Sequence, residues 1–185
     1  IKNYLKLINS NFHILGSLKN NDIKINKTKF YKQFLFISQF QDSGEKNFIQ
    51  FQKKLLKLIN LYMINSKKKI HIILRSKDCL NQNREIEFYK KIFKNNCNFY
   101  KSSNWKKSYE LLDKFENIIF IYSTLGYEAI SRKKKVAIFS PRKIQGYKYN
   151  FGWPLNDENR YNFFSTQILN FKEVKRVLDN INGCS

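Results

Sequence analysis

Hydroxyl, amide and cationic side chains stand directly after four apolar runs of this 185-residue chain. In chain order they are Ser38 and Gln39, Arg75 and Lys77, Ser123 and Thr124, and Ser140 with Arg142. A guanidinium binds phosphate through two parallel hydrogen bonds, an ammonium supplies a point charge, and hydroxyls bond to phosphate oxygens. The residue types therefore indicate a site for a ligand that carries phosphate.

The clearest of the four positions lies within residues 117–141, which predict a strand, a tight turn, a helix and a second strand. Ser123 and Thr124 fall where the helix begins, and unpaired N–H groups point at bound anions there. Gly126 would let a ligand approach the backbone, and Glu128 lies one turn after Thr124 on the same face. A purely structural interpretation is also open, with Ser123 as an N-cap, Gly126 as a packing glycine and Glu128 as a first-turn carboxylate.

Strands and helices alternate along the rest of the chain. We predict strands at residues 34–38, 69–74, 98–101, 118–122 and 136–140, and helices at residues 45–65, 85–93, 108–115 and 171–181. This alternation predicts βαβ units and an α/β fold, a Rossmann-like doubly wound parallel sheet. Ligands bind beyond the carboxyl ends of such strands, so the four groups are expected to meet at one edge.

Two segments carry a family resemblance: the sequence STLGYEA at residues 123–129 and the sequence FGWP at residues 151–154. From about residue 34 to its end the chain resembles the C-terminal half of the bacterial surface-carbohydrate biosynthesis transferases, glycosyltransferases of the GT-B type. The resemblance implies a nucleotide-sugar donor, a glycan or lipid-linked acceptor, and a role in lipopolysaccharide or capsule biosynthesis. It also implies that Glu128 contacts the nucleotide ribose. The FGWP segment is interpreted either as an acceptor platform or as an aromatic plug.

A GT-B enzyme has two Rossmann-like domains, and this chain has room for one. We therefore expect residues 1–30 to form a crossover from a missing N-terminal domain, with a short strand near residues 12–17, and residues 31–185 to form the nucleotide-sugar-binding domain with its C-terminal helix. The chain starts at Ile1 with no Met, which fits a fragment. The catalytic base is expected from the other domain. The resemblance also implies a cytoplasmic location, including association with the inner face of the membrane.

The chain is strongly basic, with 35 Lys and Arg against 14 Asp and Glu and a formal net charge of +21. Such a charge raises nucleic acid, an anionic membrane or an acidic substrate as partners. However, 29 of the 35 cations are lysine, and the chain is rich in Asn, Ile, Phe and Tyr, which is typical of an AT-rich genome. We interpret most of the charge as a solvated surface and expect no nucleic acid, although a basic nucleic-acid-binding module remains the distant alternative.

Metal and cofactor signals are absent from the sequence. There is no Asp-x-Asp, P-loop or G-x-G-x-x-G sequence, and the two histidines and three cysteines lack metal-ligand spacing. We therefore predict metal-independent transfer without a cofactor.

A related GT-B-fold enzyme, a sugar-nucleotide 2-epimerase or a polyol-phosphate transferase, is the nearer alternative. Cations at residues 132–135 are assigned to the dipole of the preceding helix and left out of the site.

Overall fold

The structure is a computed structural model, and it describes residues 20, 22–25, 31–101, 104–141 and 164–183. Strands and helices alternate along these residues. The strands are β1 (Tyr31–Ile37), β2 (Ile70–Ile73), β3 (Cys97–Tyr100), β4 (Phe115–Phe120), β5 (Lys135–Phe139) and β6 (Ser165–Thr166). The helices are α1 (Lys46–Asn65), α2 (Cys79–Phe93), α3 (Trp105–Asp113), α4 (Thr124–Ser131) and α5 (Phe171–Gly183).

The six strands form one sheet in the order β3-β2-β1-β4-β5-β6, and every neighbouring pair is parallel. The predicted α/β fold with a Rossmann-like parallel sheet is therefore confirmed. The chain runs outward from β1 to β3 and then returns to place β4 on the other side of β1. In sheets of this order a crevice opens between the carboxyl ends of the two strands where the direction reverses.

Helices cover both faces of the sheet, and this explains the continuous apolar strands. In β1, Phe34 and Phe36 pack into a core with residues of α1, α2 and α5, whereas Leu35 and Ile37 pack into a second core with residues of α3 and α4. Successive residues of a strand point to opposite faces, so both faces of β1 must be apolar. The two cores fix the strand ends between rigid layers.

Two helices begin earlier than predicted because their polar N-caps were not recognised. The Asp78 side chain accepts a hydrogen bond from the Asn81 N–H at 2.9 Å, so α2 begins at Cys79 and not at residue 85. Asn104 accepts from the Lys107 N–H at 2.9 Å and starts α3 three residues before the prediction. Side-chain caps of this kind satisfy N–H groups that have no partner inside the helix.

Strand boundaries also differ. Phe115, predicted as the end of a helix, begins β4, and the two-residue strand β6 was not predicted. The strand predicted at residues 12–17 and the FGWP segment lie outside the described residues, as does most of the predicted linker. No helix in the described part of the chain is long and apolar enough to span a bilayer.

Candidate functional site

A cleft of about 680 Å³ opens at the carboxyl ends of β1, β2 and β4. Six of the predicted site residues line it, namely Ser38, Gln39, Arg75, Lys77, Ser123 and Thr124. They come from segments far apart in sequence, and the parallel sheet brings them to one edge. The cleft includes the point between β1 and β4 where the strand order reverses, which is where α/β sheets of this type bind ligands.

The wall beyond β4 is the start of α4. Ser123 is the N-cap, and its Oγ accepts a hydrogen bond from the Gly126 N–H at 3.4 Å, a long contact for such a cap. Thr124 is the first residue of the helix and its side chain is exposed. The first N–H groups of a helix carry partial positive charge, so this end of the cleft favours an anion.

The wall beyond β2 carries the cations. Arg75 and Lys77 are both exposed and line the cleft on the side opposite α4. The lining of the cleft therefore combines the start of a helix with a guanidinium and an ammonium. Exposed cations also attract anionic ligands before contact, through the field of the surface.

A buried carboxylate holds the Arg75 wall in place. Glu85 of α2 is fully buried, and its two oxygens accept hydrogen bonds from the backbone N–H groups of Arg75 and Ser76, each at 2.9 Å. The Ser38 hydroxyl donates to the same carboxylate. Glu85 thus joins the segments that follow β1 and β2, although it does not itself line the cleft.

Tyr89 completes this buried network. Its hydroxyl lies 2.8 Å from Ser38 Oγ, and burial raises the pKa of Tyr89 well above its usual range. Tyr89 therefore stays protonated, and because the Ser38 proton goes to Glu85, Tyr89 is the donor to Ser38. The Ser38 hydroxyl is thus engaged inside the protein, with Glu85 as its acceptor and Tyr89 as its donor.

Gln39 is likewise buried, and its backbone carbonyl accepts from the Gln52 side-chain amide at 2.8 Å. Ser38 and Gln39 both line the cleft, but only small fractions of these residues are accessible, 3% and 8%. The floor beyond β1 is therefore formed by residues that the core holds firmly, whereas the exposed groups lie on the two walls.

Gly126 and Glu128 do not line the cleft. A Cβ at Gly126 would lie 2.4 Å from Cγ of Phe120, so the close approach that we expected from a ligand is made by this aromatic ring. Glu128 Oε2 accepts a hydrogen bond from the Tyr109 hydroxyl at 2.5 Å. Both residues join α4 to its neighbours. For Gly126 this agrees with the interpretation as a packing glycine, whereas Glu128 lies beyond the first turn of α4, which holds no acidic residue, so the first-turn carboxylate interpretation was wrong.

Of the fourth predicted group, only Ser140 belongs to the described residues. Arg142 lies outside the described residues. Ser140 is buried after β5, where its N–H donates to the Thr166 carbonyl of β6 at 3.1 Å, and it is not among the residues lining the cleft. The described cleft is thus built from three strand ends.

The start of α3 was not among the predicted site residues, but it lines the cleft through Asn104, Trp105 and Ser108. Trp105 is 39% exposed, and Lys106 Nζ lies 5.7 Å from its ring centroid. An exposed indole offers a flat apolar surface to a sugar or a base. The signal was available, because Asn104 followed by an aromatic residue marks a helix start after the strand that ends at Tyr100.

The cations after α4 are not among the residues that line the cleft, and none of them lies in the last turn of α4, so their assignment to the helix dipole was wrong. Contacts with neighbouring elements explain three of the four. Arg132 and Asp113 form a buried pair, in which Arg132 Nε donates to Asp113 Oδ1 at 2.9 Å. Lys134 donates to the Asp113 carbonyl at 2.8 Å, and burial lowers the pKa of Lys134. Lys135 pairs with Glu116 at 2.6 Å.

Comparison with known proteins gives a family for the chain. No curated protein matches the chain significantly. The family described as "putative O-antigen biosynthesis protein" matches residues 2–185. Because this match covers all but the first residue, the chain belongs to that family of O-antigen biosynthesis proteins.

Proposed function

We propose that this chain is the nucleotide-sugar-binding half of a GT-B glycosyltransferase that builds a surface glycan. The observation that carries the proposal is the cleft at the ends of β1, β2 and β4, which Arg75 and Lys77 line together with the start of α4. Membership of an O-antigen biosynthesis family supports a sugar-nucleotide substrate, because assembly of such glycans requires activated sugars. The Rossmann-like strand order supports the same assignment by analogy of fold alone.

Glycosyl transfer builds negative charge on the departing phosphate as the glycosidic bond breaks. Arg75, Lys77 and the N–H groups at the start of α4 would stabilise this charge more strongly in the transition state than in the ground state. Thr124 and Ser123 would add hydroxyl contacts to the phosphate oxygens. In this proposal the enzyme is metal-independent, and the acceptor and the catalytic base belong to a second, N-terminal domain.

A double substitution tests whether the hydroxyls of Ser123 and Thr124 bind the ligand phosphate. We expect Ser123→Ala with Thr124→Ala to weaken binding of a fluorescent sugar nucleotide by about tenfold or more, since two neutral hydrogen bonds contribute about 1 kcal/mol each. The measurement is a fluorescence anisotropy titration of the purified chain. Unchanged affinity in the double variant would show that these two hydroxyls do not bind the donor.

The control variant must also lose a hydroxyl group from α4, but one that does not line the cleft. Ser131 lies at the other end of α4 and donates to the Glu128 carbonyl at 2.7 Å, so Ser131→Ala is a matched variant. Removal of the Ser123 cap costs about 1 kcal/mol of stability, so thermal unfolding of all variants is recorded beside the titration. A sugar-nucleotide 2-epimerase or a polyol-phosphate transferase would bind its substrate through the same residues. Assays of turnover with the substrate of each enzyme class distinguish these alternatives from a glycosyltransferase.

A further inference from the structure

The outer surface of α1 and α2 carries a cationic face that the proposed function does not use. On α1, Lys46, Gln50, Lys53, Lys57, Leu61 and Ile64 recur every three or four residues and are all exposed. They lie opposite the buried stripe that includes Phe48, Leu55 and Ile59, so they point away from the sheet. No Asp or Glu occurs anywhere in α1.

The neighbouring helix presents a similar stripe. Leu80, Arg84, Glu87 and Lys91 of α2 are exposed at the same spacing, opposite the buried residues Gln82, Glu85 and Tyr89. Where the two stripes meet, a groove of about 410 Å³ lies between the helices. Four cations and two carboxylates line it, a net charge of +2, and they are Lys53, Lys57, Arg84, Lys91, Asp42 and Glu87.

The groove combines charge with an apolar floor. Arg84 pairs with Asp42, which leaves three lysines around Glu87. The floor is formed by Phe40, Phe88 and Ile92, with the two aromatic rings 5.3 Å apart. Large apolar side chains are also exposed on the two stripes outside the groove: Leu61 is 44% exposed, Ile64 57% and Leu80 73%. Apolar residues at these exposures do not serve the core.

We propose that the outer face of α1 and α2, which we call the lysine face, docks onto an anionic phospholipid surface. Phospholipid headgroups offer many phosphates at a shallow interface, and lysines near such a surface contribute about 1 kcal/mol each. Exposed Leu and Ile side chains beside lysines can enter the boundary between headgroups and acyl chains. The lysine face therefore matches both the charge and the polarity of this partner.

The observations favour a lipid surface over a nucleic acid. Binding of single strands uses exposed aromatic rings that stack on bases. Here Phe40 is only 9% exposed and forms the groove floor, and the single arginine of the groove is engaged by Asp42. Lysines without free arginine suit a diffuse anionic surface better than recognition of individual phosphates.

The lysine face and the cleft share one edge of the sheet. Gln39 lines the cleft, whereas the next residue, Phe40, lies in the groove floor. Docking through the lysine face would thus keep the cleft close to the lipid surface. This placement suits a site whose product remains at a membrane, but the inference does not depend on the proposed reaction.

Vesicle flotation tests the inference with the purified chain at about 0.1 M salt. The vesicles are phosphatidylcholine alone, or phosphatidylcholine with roughly one third phosphatidylglycerol. We expect binding to the anionic vesicles only. The triple variant Lys53→Gln, Lys57→Gln and Lys91→Gln is expected to bind them at least about tenfold more weakly, since each lysine near the surface contributes severalfold.

The matched control removes three exposed lysines from the opposite layer, as Lys107→Gln, Lys114→Gln and Lys133→Gln. It changes the net charge equally and is expected to retain most of the binding. Equal losses in both triple variants, or no flotation of the unmodified chain, would overturn the inference. A lysine-face variant that floats normally but loses affinity for single-stranded DNA would assign the surface to nucleic acid instead.

Discussion

Glu85 is the residue on which the geometry of the cleft depends most. One carboxylate accepts from the backbone of Arg75, the backbone of Ser76 and the hydroxyl of Ser38, and so fixes two strand ends relative to each other. An unpaired buried carboxylate would be costly, but here the hydrogen bonds offset the loss of hydration. Its importance could have been found from spacing, because Gln82, Glu85, Tyr89 and Phe93 fall on one buried face of α2.

We predict that Glu85→Gln weakens binding of a sugar nucleotide by about tenfold and destabilises the fold by about 1–3 kcal/mol, the range for an unsatisfied buried group. The amide cannot accept from both backbone N–H groups, because its NH₂ would face one of them. The measurements are a binding titration and urea unfolding.

A double-mutant cycle distinguishes a role of Glu85 in positioning Arg75 from a purely structural role of Glu85. In an Arg75→Gln background, Glu85→Gln should reduce affinity much less, since the group that it positions is already gone. Glu110→Gln, an exposed substitution on α3, is the control. Full additivity of the two substitutions would contradict the positioning role.

Among individual residues, the positions of Arg75, Lys77, Ser123 and Thr124 at the edge of the sheet were predictable, because each follows the end of an apolar strand. It did not locate the partners of Gly126 and Glu128. A helical pattern gives the face on which a residue lies, but the neighbour on that face comes from another element. Here those neighbours are Phe120 of β4 and Tyr109 of α3, and neither contact has a local sequence signal.

At the scale of elements, a buried ion pair joins α3 to the end of α4. Asp113 and Arg132 have side chains only 2% and 1% exposed. Arg132 also donates to Asn20 Oδ1 at 2.9 Å and to the Ile23 carbonyl at 3.2 Å, so the segment before β1 is attached at the same point. The pair orients the helix whose first residues form a wall of the cleft.

Removing one member of this buried pair should lower the free energy of unfolding far more than breaking an exposed pair. We predict that Asp113→Ala lowers the free energy of unfolding by about 3–5 kcal/mol, because Arg132 would remain buried and unpaired. Lys175→Ala breaks the exposed pair with Asp179 and should cost about 1 kcal/mol or less. Urea unfolding measures both, and equal effects would contradict the assigned role of the pair.

Element types were predictable, whereas element ends were less so. Long apolar stripes such as that of α1 identify a helix, and Lys46–Asn65 agrees closely with the predicted residues 45–65. The starts of α2 and α3 were misjudged because Asn81, Asn83 and Asn104 are poor helix formers in the interior, although Asn and Asp are good caps. The β6 strand has two residues, too few for any periodicity.

At the scale of the whole molecule, alternating strands and helices were sufficient to predict a parallel sheet covered on both faces. The strand order was not predictable in the same way, since local periodicity does not state which strands are neighbours. That order shapes the candidate site, because it places the ends of β1 and β4 side by side at the cleft. The family match supplies the biological setting, O-antigen biosynthesis.

We propose that this cleft binds the phosphate of an activated sugar. The most direct test is a titration of the isotope-labelled chain with a panel of nucleoside diphosphate and nucleoside monophosphate sugars, followed by backbone amide resonances. We predict that one class of donor shifts the resonances of Arg75, Ser123 and Thr124 saturably and leaves those of Lys53 and Lys57 unchanged. A folded chain in which no donor moves the strand-end resonances, or in which the shifts lie only on α1 and α2, would show that the cleft does not bind the donor.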